Sequence, residues 1–117
     1  LEKLAALTQD QNLRILSFGH FADGNIHLSV SEADAPLSSQ RAGEVTQRIF
    51  CLTKALGGRI AAEHGIGLAK KEYLDVNLDD ATLDLAFQVK KMIDPHGILN
   101  PGKIFPQHRW DKGFEKP

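Results

Sequence analysis

The sequence predicts an α+β fold, a mostly antiparallel sheet with helices packed on one face, of the ferredoxin-like kind. Two strand-like runs, residues 14–21 and 25–31, adjoin across Asp23-Gly24, a strong signal for a two-residue hairpin turn. Two later stretches carry apolar residues at three- and four-residue spacing, the mark of amphipathic helices. The resulting order, helix–strand–strand–helix–strand–helix, suits one small two-layer domain.

Each element has a local reason. Leu1, Leu4, Ala5 and Leu7 give residues 1–9 a short amphipathic pattern that breaks at Gln9-Asp10. Pro36 and Ser38-Ser39 open a helix on which Val45, Ile49, Leu52 and Leu56 form one apolar face, and Gly57-Gly58 closes it as a C-cap pair. Residues 59–63 read as a short strand, followed by a turn at Gly65 and Gly67. Asp79-Asp80 suit an N-cap, Leu83, Phe87, Val89, Met92 and Ile93 supply the buried side of the last helix, and Asp94-Pro95 stops it. Residues 1–106 are thus read as the domain and 107–117 as a loosely ordered tail.

Composition narrows the function. With 117 residues, 42% hydrophobic and 25% charged, the chain reads as one soluble globular domain. A net charge of -1 and no block of five like charges argue against nucleic acid or an anionic membrane as partner. Cys51 is alone, which excludes an internal disulfide, and its apolar helical setting reads as a buried structural thiol. No run is long and apolar enough to span a bilayer, and no signal peptide is evident, so a cytoplasmic location is expected, with any membrane contact made peripherally through an electron acceptor. A start at Leu1 that opens directly into a helical pattern reads as a fragment.

The chemistry gathers around the hairpin. With Asp23-Gly24 as a two-residue turn, His20 would pair with His27, and paired Cβ atoms lie roughly 5 Å apart on one face. His20, Asn25, His27 and Ser29 then form a chemical face, while Ile26, Leu28 and Val30 face the core. Two imidazoles so placed can converge on zinc, manganese or iron, each of which wants a third ligand. Glu63 is the candidate, returned beside the hairpin by the helix crossover. His64 follows it, and both can serve one site only if the strand ends there, since successive strand residues point to opposite faces.

Three blocks together resemble the C-terminal domain of FAD-linked oxidases of the vanillyl-alcohol-oxidase superfamily, in the D-lactate, glycolate and D-2-hydroxyglutarate dehydrogenase branch. They are residues 19–27 (GHFADGNIH), residues 57–67 (GGRIAAEHGIG) continuing through Lys70-Lys71, and residues 94–103 (DPHGILNPGK). The resemblance covers residues 14–105. It implies that His20, His27 and Glu63 are ligands of a divalent metal, zinc or manganese, and that His64 is the general base beside the substrate. It also implies that the stretch from Asn100 to Lys103 lies against the flavin. Asn25 and Ser29 are the substrate-facing candidates. Hydroxyglutarate-like members often carry Asn where Ser29 stands, and the shorter Ser leaves the particular hydroxy acid open. Ala22 also departs from the family's usual Gly.

The implied reaction oxidises a D-2-hydroxy acid to a 2-oxo acid, with FAD held mainly by an N-terminal domain of the same protein, so that the fragment alone is expected to be inactive. Lys70 and Lys71 read as solvent-facing residues at a helix start, with neutralisation of substrate or flavin charge the alternative. Arg14 and Arg59 could clamp a carboxylate. Apolar residues Ile98, Leu99, Ile104 and Phe105 would be uncovered in such a fragment, so a homo-oligomer is expected. The competing readings are a non-enzymatic metal-binding α+β module and a superfamily oxidase or alkyl-glycerone-phosphate-synthase-like enzyme.

Overall fold

The structure, a computed structural model, describes residues 2–3, 6, 12–32 and 35–114. The chain divides into two compact units, Leu1–Ile49 and Phe50–Pro117. A two-stranded antiparallel sheet and four α-helices make up the described elements from Leu13 onward, which is the expected α+β class. Glu2, Lys3 and Ala6 are helical; the apolar positions predicted for that first helix lie outside the described residues.

In the first unit, β1 (Leu13–His20) pairs with β2 (Asn25–Glu32). Period-two alternation sets its faces. Leu13 is buried and Ile15 and Ser17 are half-buried, whereas Arg14, Leu16 and Phe18 are exposed. The turn differs from the expectation. Phe21–Asp23 form a 3-10 turn, and Gly24, at φ 72°, closes it by donating its N–H to the Phe21 carbonyl at 3.2 Å. A two-residue type I′ turn would need positive φ at both Asp23 and Gly24. Only Gly24 has it, so the loop takes four residues, and His20 pairs with Asn25 rather than with His27.

Helix α1 (Ser39–Ala55) is capped by Ser38, whose Oγ accepts the Arg41 N–H at 3.3 Å. Val45 and Ile49 are buried and Leu52 is half-buried, as its periodicity predicts, but Leu56 is exposed. Cys51 is exposed too, so it is not the buried thiol the apolar pattern suggested. The glycine pair ends the helix as expected. Gly58 N–H donates to the Thr53 carbonyl and Gly57 N–H to the Lys54 carbonyl, both at 2.9 Å, with Gly57 at φ 76°. A Cβ on Gly58 would lie 2.9 Å from Thr53 Cγ2, so each glycine has its own reason.

In the second unit, residues 59–63 are irregular rather than a strand. A side chain takes part of the role a ladder would have played. Buried Asn77 accepts the Ile60 N–H at 3.4 Å and donates to the Gly58 carbonyl at 3.2 Å. Ile60 turns its side chain into a cluster with Leu74 and Leu83, ringed by Phe50, Ile66, Tyr73 and Leu78. After a 3-10 turn at Lys71–Tyr73 come α2 (Leu74–Asn77) and α3 (Asp80–Ile93).

Asp79 caps α3 by accepting the Thr82 N–H at 2.8 Å and the Thr82 hydroxyl at 3.1 Å, which holds its carboxyl below the usual range. Leu83 is fully buried and Phe87 half-buried, but Val89, Met92 and Ile93 are exposed, Met92 at 77%. The buried stripe therefore stops short of the helix end that its periodicity reached. There Asp94 is only 3% exposed. Its carboxylate takes the Lys90 ammonium at 2.6 Å and accepts the N–H groups of Ile98 and Leu99 at 3.0 and 2.9 Å. The Lys90 bond, with those two N–H groups, lowers its pKa.

The expected loose tail is instead a helix, α4 (Gln107–Gly113). Trp110 and Phe114 are buried with Phe105, and Phe87 packs against this cluster. Phe87 meets Phe105 edge-on at 4.9 Å between ring centres, and Trp110 lies 4.4 Å from Phe114. Phe105 is thus buried, not uncovered; Ile98, Leu99 and Ile104 are exposed as expected. Arg109 fastens α4 by donating to Asp80 and Asp84, with Nε 3.5 Å from Asp75. Burial opposes its charge, but the Asp84 bond and the three carboxylates together raise its pKa.

Three outcomes follow for stability. Gly57→Ala puts a Cβ in the left-handed region and should cost about 1–2 kcal/mol in urea unfolding. Trp110→Ala should cost about 3–5 kcal/mol, since it empties an aromatic cluster; an unchanged midpoint would mean that α4 does not dock. Asp79 and Asp94 both have lowered folded pKa values, so each contributes stability that is complete above the unfolded aspartate value of about 4. That stability is lost as pH falls through the lower folded value. Denaturation midpoints measured from pH 7 downward should drop in this acid range, and the drop should shrink in Asp94→Asn.

Candidate active site

On the hairpin, the register places His20 opposite Asn25, Phe18 opposite His27 and Leu16 opposite Ser29. His20, Asn25, His27 and Ser29 therefore share one face, as the alternation predicted. The register differs from the expected one by two residues, and only an odd shift would exchange the faces. His20 and His27 become diagonal rather than directly opposed neighbours, which places their backbones about 7–8 Å apart, still within reach of long side chains. His27 and Asn25 are half-buried, His20 and Ser29 exposed. The His27 ring lies against Phe18, 5.4 Å between centres and tilted by 33°.

Gly19 allows this close approach. It sits at φ 137°, and a Cβ there would meet the Asn25 carbonyl oxygen at 2.5 Å and His27 Cδ2 at 3.2 Å. The glycine before His20 is therefore a steric requirement of the face that carries both imidazoles.

In the second unit, Glu63 and His64 are exposed on irregular backbone. Glu63 Oε1 lies 3.7 Å from His64 Nε2, an ion pair when the imidazole is protonated. Consecutive residues on a strand would diverge; without one, these two side chains come together. Arg59, a candidate carboxylate clamp, is exposed, as is Arg14 on the hairpin face.

The stretch from Asn100 to Lys103 is a turn. Lys103 N–H donates to the Asn100 carbonyl at 3.4 Å, and Lys103 Nζ to Asn100 Oδ1 at 2.9 Å. Asn100 is at φ 49° and Gly102 at φ 68°. Asp94 holds the base of this turn through Ile98 and Leu99, and Lys90 adds a 2.6 Å bond to the Leu99 carbonyl. The sequence marked Asp94 as a helix stop; its capping role was signalled only by an acidic residue four positions after Lys90.

Lys71 also departs from expectation. Its side chain is 14% exposed, not solvent-facing. Its ammonium donates to the Gly102 carbonyl and to Gln107 Oε1, both at 3.1 Å. Lys70 is half-buried. Nothing in the spacing of Lys70-Lys71 distinguishes the residue that turns inward.

Comparison with known proteins extends this geometry. The family described as FAD linked oxidases, C-terminal domain, matches residues 1–104. The chain is 38% identical over 97 residues to a D-2-hydroxyglutarate dehydrogenase of Stutzerimonas stutzeri, covering 80% of this chain and 21% of that protein. It is 37% identical over 107 residues to the glycolate oxidase subunit GlcD of Escherichia coli K12, covering 91% and 21%. It is 39% identical over 95 residues to the mitochondrial D-2-hydroxyglutarate dehydrogenase of Bos taurus, covering 80% and 17%. The chain thus spans about a fifth of the length of these relatives. No solved structure matches. Among the described residues no helix is long and apolar enough to cross a membrane. The match runs through the hairpin histidines, the Glu63-His64 pair and the Asn100–Lys103 turn alike, and the chain belongs to the FAD-linked oxidase C-terminal domain family.

Proposed function

We propose that this chain supplies the metal ligands and the general base of a flavin-dependent dehydrogenase that converts a D-2-hydroxy acid to a 2-oxo acid. The observation that carries the reading is the approach of Glu63 to His64, 3.7 Å apart, in a family whose relatives are named for D-2-hydroxyglutarate and glycolate. His20, His27 and Glu63 would hold a divalent metal. Two neutral imidazoles and one carboxylate are donors that zinc and manganese both accept, and the shared hairpin face supports the two imidazoles acting together. Asn100 and Lys103 would meet the flavin, FAD, held mainly by a separate N-terminal domain. An amide and an ammonium 2.9 Å apart, beside exposed Ile98 and Leu99, suit the polar edge and apolar face of such a ring. When bound, the metal supplies Lewis acidity and the flavin accepts two electrons.

The rest of the work falls to side chains of this chain. Asn25 and Ser29, on the histidine face, would hydrogen-bond the substrate oxygens. His64 would take the hydroxyl proton as general base, a role to which an imidazole nitrogen is chemically suited.

In the full-length flavoprotein, His64→Gln should keep FAD and metal bound and slow flavin reduction by a D-2-hydroxy acid by roughly 10²–10⁴. Glu63→Gln should lose metal and rate together. Stopped-flow bleaching of the flavin, with metal measured in the same samples, separates the two. Reduction by His64→Gln at the wild-type rate would remove His64 from the mechanism.

A further inference from the structure

Two hydrogen bonds between residues far apart in sequence fasten the Asn100–Lys103 turn to the loop that follows His64. Ile104 N–H donates to the Gly67 carbonyl at 2.9 Å, and Lys71 Nζ donates to the Gly102 carbonyl at 3.1 Å. The Lys71 ammonium is otherwise occupied by Gln107 Oε1 at 3.1 Å and Glu72 Oε1 at 3.6 Å. An ammonium on a side chain only 14% exposed, with two hydrogen bonds and an ion pair to protein groups, is a fixed point rather than a mobile surface charge.

The segment between these ties is not relaxed. Ile104, a β-branched residue, sits at φ 71°, and Phe105 N–H reaches back to the Lys103 carbonyl at 2.9 Å across it. Such backbone is sparsely populated and persists only where its surroundings over-determine it. The bond to Gly67, the Lys71 tie at Gly102 and the burial of Phe105 supply that constraint.

We propose that Lys71 is a positioning residue. Through the Gly102 carbonyl it holds the Asn100–Lys103 turn in fixed register against the loop from Gly65 to Lys71, and so fixes the turn relative to His64. Lys71 itself touches neither substrate nor flavin. The proposal rests on the reading above, in which His64 is the base and the turn meets the flavin.

The test has two arms. In this chain, amide hydrogen exchange reads the tie directly. Lys71→Met should lower protection of the Ile104 amide by about tenfold or more through local opening, while the Leu83 amide, within α3, keeps its protection. Lys71→Arg, which retains charged donors, should restore most of it. Unchanged Ile104 protection in Lys71→Met overturns the proposal. If Lys71→Met loses Leu83 protection as well, it has unfolded, and Lys71→Gln, polar but too short to span to Gly102, takes its place with the same two outcomes. In the full-length flavoprotein, Lys71→Met should cut the rate of flavin reduction roughly 10- to 100-fold by misplacement. FAD content and substrate KM should be unchanged, and Lys71→Arg should recover most of the rate. A wild-type rate despite lost Ile104 protection would overturn the link to chemistry. The exchange arm decides the role of Lys71 in the turn even if the His64→Gln control shows that the functional reading itself is wrong.

Discussion

Asp94 ends α3 with its carboxylate inside the protein, 3% exposed, and a charge so placed is tolerable only if it is paired and hydrogen-bonded. It is both: Lys90 supplies the countercharge, and the N–H groups of Ile98 and Leu99 donate to its two oxygens. The same ammonium binds the Leu99 carbonyl and lies 5.8 Å from the centre of the Trp110 ring. One ion pair therefore fixes the backbone from Asp94 to Leu99 and couples it to the aromatic cluster that docks α4. Asn100 emerges from a rigid base, and everything beyond it, including the turn that Lys71 grips and the Ile104 conformation, takes its direction from there.

The hairpin was legible in its strands and its faces, but not in its register. Alternation of Leu13, Ile15 and Ser17 against Arg14, Leu16 and Phe18 specifies which side is packed, and that survives any even shift. Asp23-Gly24 is compatible with two loops, because a glycine in the left-handed region can be the second residue of a tight turn or the closing residue of a four-residue one. The dipeptide alone does not choose between them. The choice rests on Phe21–Asp23 taking the right-handed 3-10 turn that Gly24 closes.

Elsewhere the sequence was misleading for reasons that are tertiary. Residues 59–63 look like a strand, yet the Ile60 N–H goes to the side chain of Asn77, which also binds the Gly58 carbonyl and has no local signature of that duty. Trp110 and Phe114 are the apolar residues of an otherwise polar stretch, which reads as a loose tail. What makes α4 a helix is their burial with Phe87 and Phe105, which propensity does not reveal. The reverse holds at the end of α3, where Met92 and Ile93 continue the periodicity without being buried.

The loss of the strand at 59–63 bears most on the chemistry. A strand would send Glu63 and His64 to opposite sides of a sheet, and the two could then serve a common site only at its last residue. Irregular backbone removes that restriction, and a carboxylate and an imidazole adjacent in sequence come within 3.7 Å of each other. The irregularity needs support, because backbone outside a ladder must find its hydrogen bonds elsewhere. Asn77 provides them ahead of the pair, at Gly58 and Ile60. Behind it, the Gly67 carbonyl takes the Ile104 N–H and Lys71 grips Gly102. The Glu63-His64 pair thus sits on a loop braced at both ends by contacts from other parts of the second unit. That arrangement holds the imidazole beside its neighbouring carboxylate while leaving both side chains exposed.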